Sequence, residues 1–207
     1  MEEAIVVHGP GGPALEARLG PVRAPTGGFV VCHPHPLYGG DMDNPVVIRA
    51  AEVARAAGYA TLRFNFRGVG ASDGVHDKGR GEQDDVTAAM AELASRLPVG
   101  RPVGVIGYSF GAFAAARAAR PGDAALGLIA PPIGMYDFGF LQPGPGRALL
   151  VAGTQDPYCS VDALRGLAEV AAAEARVVEG ADHFFFGKLY PLGEAIAAWL
   201  AGAPPAR

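Results

Sequence analysis

Gly107-Tyr108-Ser109-Phe110-Gly111 is a G-x-S-x-G pentapeptide between an apolar run at 103–107 and an Ala-rich stretch at 110–119. The chemistry of a serine nucleophile calls for this spacing. A serine on a sharp strand-to-helix turn lifts its hydroxyl clear of the backbone, and glycines on both sides keep Cβ atoms out of the crowded turn. The Phe110 N–H, at the start of the following helix, can then point at the negative charge that develops on an attacked carbonyl oxygen.

A serine hydroxyl is a weak nucleophile until a base takes its proton. A single histidine follows Ser109 in the chain, His183, in Gly180-Ala181-Asp182-His183-Phe184. On such a turn the partners follow the serine in the order acid, then histidine. Asp156, just after the apolar run 148–152, is the expected acid: its carboxylate would fix the tautomer of His183 and stabilise the imidazolium. Asp162 is the next alternative, although a position at a helix start also suits a cap or first-turn acid. Asp182 adjoins His183, where neighbouring loop side chains rarely aim at one another. Asp137 follows the preceding strand, a less usual place.

The elements that must carry these groups read clearly. Two short strands, 4–7 and 14–19, flank the turn Gly9-Pro10-Gly11-Gly12-Pro13, and the second alternates apolar and charged residues as a half-buried antiparallel strand does. Continuous apolar runs at 29–32, 59–64, 103–107, 126–130 and 148–152, with a final strand at 176–179, read as buried strands. Helical periodicity marks 46–57, 82–97, 110–119, 161–173 and 192–200, with stops at Gly58, Pro98 and Pro121-Gly122. Strand and helix alternate, which predicts a mostly parallel sheet with helices on both faces and a site at the carboxyl ends of the strands. No linker divides the chain, so one domain over 1–207 is expected.

Further segments complete a pattern: Cys32-His33-Pro34-His35-Pro36-Leu37-Tyr38-Gly39-Gly40, and Phe64-Asn65-Phe66-Arg67-Gly68-Val69-Gly70-Ala71-Ser72-Asp73-Gly74. With the Ser109 turn and the Asp156 and His183 loops, they span nearly the whole chain in order. The sequence resembles the α/β-hydrolases, specifically the small lid-less bacterial group related to dienelactone hydrolases and prolyl-oligopeptidase-like esterases. Dienelactone hydrolases carry Cys at the turn where this chain has Ser109. The resemblance implies an α/β-hydrolase fold with an eight-stranded sheet. It also implies a second oxyanion donor from the loop after the third strand. Pro34 and Pro36 have no N–H to give, which leaves His35, Leu37 and Tyr38. The resemblance favours the Leu37 amide, with Tyr38 next. Only 131–147 is available for a lid, and Pro132, Gly134, Pro143 and Gly144 break it up, so no lid domain is expected.

Some residues have plainer readings. His33-x-His35 could place two imidazoles on one face, but a zinc site needs further ligands, and bracing of the loop by hydrogen bonds is the expectation. Arg67 and Asp73 could pair within their loop. Cys159 reads as a packing residue, and Phe184-Phe185-Phe186, Tyr136 and Phe138 as pocket lining or core.

Half of the 207 residues are hydrophobic and 18% are charged, the composition of a globular chain. A net charge of -4 without a Lys/Arg cluster argues against nucleic acid as a partner. No run reaches a membrane span, and two cysteines are too few for a disulfide-stapled secreted domain. The expectation is therefore a cytoplasmic serine hydrolase, acting on a small ester or thioester, needing no metal or cofactor, with a homodimer left open. An acyltransferase or peptidase with the same residues, or a catalytically silent binding protein, remain the alternatives.

Overall fold

The computed structural model describes residues 2–120, 124–143 and 146–202. Gly144 and the Pro121-Gly122 stop lie outside them. Strands β1 (Glu3–His8) and β2 (Ala14–Gly20) form an antiparallel hairpin closed by a Gly12 N–H to Gly9 carbonyl bond of 3.1 Å. Then come β3 (Gly27–Cys32), α1 (Pro45–Ala56), β4 (Tyr59–Phe64), α2 (Arg80–Arg96), β5 (Val103–Tyr108) and α3 (Phe110–Ala118). The chain continues through β6 (Ala125–Ile129), β7 (Arg147–Gly153), α4 (Val161–Val170), β8 (Glu174–Val178) and α5 (Leu189–Ala201).

The eight strands form one sheet in the order β1-β2-β4-β3-β5-β6-β7-β8. β2 meets β4 antiparallel, and every pairing from β4 through β8 is parallel. Parallel strands present alternate side chains to two faces, and both faces need cover. Val30, Val105, Leu128 and Leu150 point to the layer that holds α2, α3 and α4. Val31, Ile106, Ile129 and Val151 point to the layer of α1 and α5, where Trp199 packs against Phe29.

Register places the functional loops. Cys32 pairs with both Phe64 and Gly107, Tyr108 with Ile129, Ile129 with Val151, and Gly153 with Val178. The strands thus end at one edge, and the loops carrying His33–Gly40, Ser109, Asp156 and His183 all leave from it. Between β6 and β7 the described residues hold neither helix nor strand. Tyr136 and Phe138 from this segment instead pack on Phe113, with ring centroids 4.6 and 5.7 Å away. No helix among the described residues is long and apolar enough to cross a membrane.

Several boundaries differ from the sequence reading, three of them at helix ends with a clear cause. α2 begins at Arg80 rather than 82, because the Glu82 carboxylate reaches back to accept the Asp77 and Gly79 N–H groups at 2.8 and 2.7 Å. α4 stops at Val170 rather than 173, where Ala172 turns left-handed at φ 51°. α5 begins at Leu189 rather than 192, since Pro191 falls in its first turn, where no N–H is missed.

Candidate active site

Ser109 sits between β5 and α3 at φ 55° and ψ -120°, a region that L-residues rarely occupy. The turn closes because its flanks lack side chains. A Cβ on Gly107 would run into the Gly111 carbonyl, and one on Gly111 into the His33 carbonyl. The Ser109 N–H bonds to the Ile129 carbonyl at 2.9 Å, which anchors the turn to β6.

Three side chains meet here. Ser109 Oγ lies 2.9 Å from His183 Nε2, and His183 Nδ1 lies 2.8 Å from Asp156 Oδ2. Asp156 Oδ1 accepts the N–H groups of Tyr158 and Cys159 at 2.8 and 3.2 Å. These bonds aim the second oxygen at the imidazole and satisfy a carboxylate buried with His183. The ring of Tyr158 stands edge-on to His183 at 4.8 Å. The other acids are occupied elsewhere. Asp182 accepts from the Phe184 and Phe186 amides, Asp137 from that of Gly139, and Asp162 lies in the first turn of α4, which Ser160 caps.

The loop after β3 forms a single helical turn, Pro36–Tyr38. Its hydrogen bonds correct the expectation for Leu37 and Tyr38. The Leu37 N–H donates to His35 Nδ1 at 3.2 Å, and the Tyr38 N–H to the His35 carbonyl at 3.1 Å. Both amides are consumed inside the turn. The His35 N–H has no acceptor among the described residues, nor does that of Phe110 at the start of α3. Proline on both sides of His35 hides this from the sequence: it reduces the donors without saying how the turn spends them.

His33 is buried, with Nδ1 donating to the Pro34 carbonyl at 2.6 Å and Nε2 accepting the Phe66 N–H at 3.0 Å. Both nitrogens brace the loop, and burial lowers the pKa of the ring to about 4. Arg67 does not pair with Asp73. It forks onto Asp85 of α2, with Nη2 2.7 Å from Oδ1 and Nε 3.0 Å from Oδ2. Cys159 is buried, and burial first, then Asp156, pushes its thiol up to about 12, so it stays a protonated packing residue.

A cleft of about 520 Å³ opens over Ser109. Tyr38, Phe110, Met135, Tyr136, Tyr158 and Phe184 give it an apolar wall, Asn44 adds an amide, and among the described residues no Lys, Arg, Asp or Glu lines it. A second cavity of about 470 Å³ lies at the opposite edge of the sheet, beside Ala125 and Arg147 at the starts of β6 and β7, away from these groups.

Residues 30–182 match the family described as X-Pro dipeptidyl-peptidase (S15 family). The chain belongs to the S15 family of α/β hydrolases. This S15-family chain is 35% identical to an uncharacterised protein of Rickettsia prowazekii (strain Madrid E), over 95% of this chain and 87% of that protein. Among solved structures, XC6422 of Xanthomonas campestris is described as an α/β serine hydrolase without a lid. It superposes with a TM-score of 0.89 at 33% identity, covering 100% of this chain and 96% of that one. An α/β serine hydrolase homologue from Coxiella burnetii gives 0.86 at 33% identity, covering 95% and 96%. The eight-stranded, mostly parallel sheet of this S15-family chain thus matches α/β-hydrolase structures, one of them described as lid-less, and no lid domain is found among the described residues.

Proposed function

We propose that this chain is a serine hydrolase that cleaves uncharged carboxylic esters or thioesters through an acyl-enzyme on Ser109. The observation that carries the reading is the hydrogen-bonded series Ser109 Oγ–His183 Nε2 and His183 Nδ1–Asp156, at 2.9 and 2.8 Å. His183 Nε2 takes the hydroxyl proton as Ser109 Oγ attacks the carbonyl carbon. Asp156 holds the ring in the tautomer that leaves Nε2 free and stabilises the imidazolium. The amides of Phe110 and His35 are the two donors available to the oxyanion. His183 then gives its proton to the leaving alcohol or thiol. Water, deprotonated in turn by His183, attacks the acyl carbon, and Ser109 recovers its proton as the acid departs.

The family description favours a second reading, a dipeptidyl-peptidase. An enzyme that removes dipeptides must recognise the free ammonium of its substrate, and an ammonium in an apolar cleft needs a carboxylate partner. Among the described residues the cleft lining holds none, and the acids around it, Asp156, Asp182 and Glu82, already accept backbone N–H groups. This favours the ester reading.

The test compares an uncharged p-nitrophenyl ester, a size-matched ester with an anionic acyl group, and an Ala-Pro p-nitroanilide, with Ser109→Ala as control. The neutral ester should lead the anionic one by about tenfold or more in kcat/KM, since an unpaired charge must be desolvated, and Ser109→Ala should abolish turnover. Faster release from the Ala-Pro anilide than from the esters would establish the peptidase reading instead.

A further inference from the structure

A second carboxylate–imidazole pair packs against two residues that line the cleft, His35 and Phe110. Glu82, in the first turn of α2, is fully buried, and its Oε1 lies 2.8 Å from His76 Nδ1. That contact lies off the hydrogen-bond line, so Glu82 places the ring by close contact rather than by a directed bond. The carboxylate cannot drift, because it also accepts the Asp77 and Gly79 amides. His76 in turn packs on His35, with ring centroids 5.0 Å apart, and both rings face Phe110, at 5.5 and 4.9 Å. His35 and Phe110 are the residues whose amides the proposed reading assigns to the oxyanion.

We propose that His76, anchored by Glu82, is a positioning residue of the oxyanion loop: it holds the His35 ring so that Nδ1 keeps accepting the Leu37 N–H and the His35 amide stays turned to the cleft. This rests on the serine-hydrolase reading. His35 Nδ1 can accept from Leu37 only while it carries no proton; a proton there would set two donors face to face and release the Pro36–Tyr38 turn. The groups facing His35 are Tyr38 on its own turn, His76 on the loop before α2, Glu82 on α2, and Phe110 on α3. Burial first, then the like charge of His76, holds the pKa of His35 below its ordinary value, with Glu82 acting the other way. His76 thus works twice, as a packed wall against the ring and as a deterrent to its second proton. Nearby Arg67 forks onto Asp85 and acts on Glu82 only through its charge.

The variant that tests this is His76→Gln, which keeps an N–H for Glu82 but removes the ring and its charge. Its kcat should fall about tenfold with KM within about twofold, since a misplaced oxyanion donor costs the transition state rather than the ground state. Its rate of fluorophosphonate labelling should fall in step. The acid limb of log kcat/KM should be steeper than in wild type, as His35 takes a proton more readily once the like charge of His76 is gone. Glu82→Gln, which frees the His76 ring but removes the charge that favours His35 protonation, should show the same fall in kcat and labelling without the steeper acid limb, wherever thermal melting shows it folded. A His76→Gln enzyme with wild-type kcat, or with a loss confined to KM and an unchanged pH profile, overturns the proposal. If the wild-type protein is not labelled at Ser109 at all, the hydrolase reading falls and this one with it; normal labelling with an unchanged His76→Gln profile sinks only the inference.

Discussion

The Tyr108 hydroxyl donates to the carbonyl oxygen of His183 across 3.0 Å. It ties the residue before the nucleophile to the backbone of the base. Burial raises the pKa of this phenol further above its ordinary value, so it remains a donor throughout the working pH range. Tyr108→Phe leaves a buried carbonyl unpaired and frees the His183 loop. We expect a loss of about 1–2 kcal/mol in stability and a several-fold fall in kcat. Thermal denaturation and ester kinetics check the two effects separately; an unchanged kcat would show that the tie is structural alone.

Ser109 holds its positive φ against the preference of an L-residue. Glycine relaxes that strain and alanine does not. Ser109→Gly should therefore be more stable than Ser109→Ala by about 1 kcal/mol, although both should be inactive. Urea denaturation of the pair measures the difference. Equal midpoints would place no strain at the turn.

The fold and the three side chains that meet at Ser109 were legible for one reason: each is announced by local pattern. Apolar runs bounded by Gly and Pro mark the buried strands, and Ser109, Asp156 and His183 each follow one of them. What failed depends on contacts between distant segments. Arg67 sits six residues from Asp73 in sequence, yet its fork closes on Asp85, one α-helical turn into α2. Leu37 and Tyr38 were attractive donors until the turn they build consumed both amides. His76 and Glu82 carry no motif; only the fold brings them against His35. The start of β8 at Glu174 rather than 176 has a similar origin, because its pairing with Leu149 of β7 extends it through charged residues.

His33 predicts a pH dependence of stability. Its folded pKa, about 4, lies below the ordinary 6.5 because burial opposes its charge. The unfolded chain therefore binds the extra proton first. The neutral ring's stabilisation is complete above pH 6.5, is lost as pH falls toward 4, and changes no further below that. The whole swing is about 3 kcal/mol at most. Against wild type, His33→Asn should be less stable at neutral pH but flatter across this window. Parallel curves from chemical denaturation between pH 7 and pH 4, taken as about the span of the shift, would remove His33 as the cause.

The Arg67–Asp85 pair, with the Asp85 side chain 1% exposed, locks the loop after β4 to α2. Asp85→Ala should cost about 3 kcal/mol or more, because it strands a partly buried guanidinium. The double variant Arg67→Met/Asp85→Leu should recover most of that loss. Urea midpoints of the single and double variants decide it, and a double variant no better than Asp85→Ala would mean that the fork itself, not the stranded charge, sets the cost.

The central claim is that Ser109 is an activated nucleophile. Its most direct test is intact-mass analysis after treatment with a fluorophosphonate, followed by peptide mapping. A single adduct is expected, on the peptide containing Gly107–Gly111, absent from Ser109→Ala and strongly slowed in His183→Ala. An unlabelled wild-type protein, or equal labelling of Ser109→Ala, would contradict it.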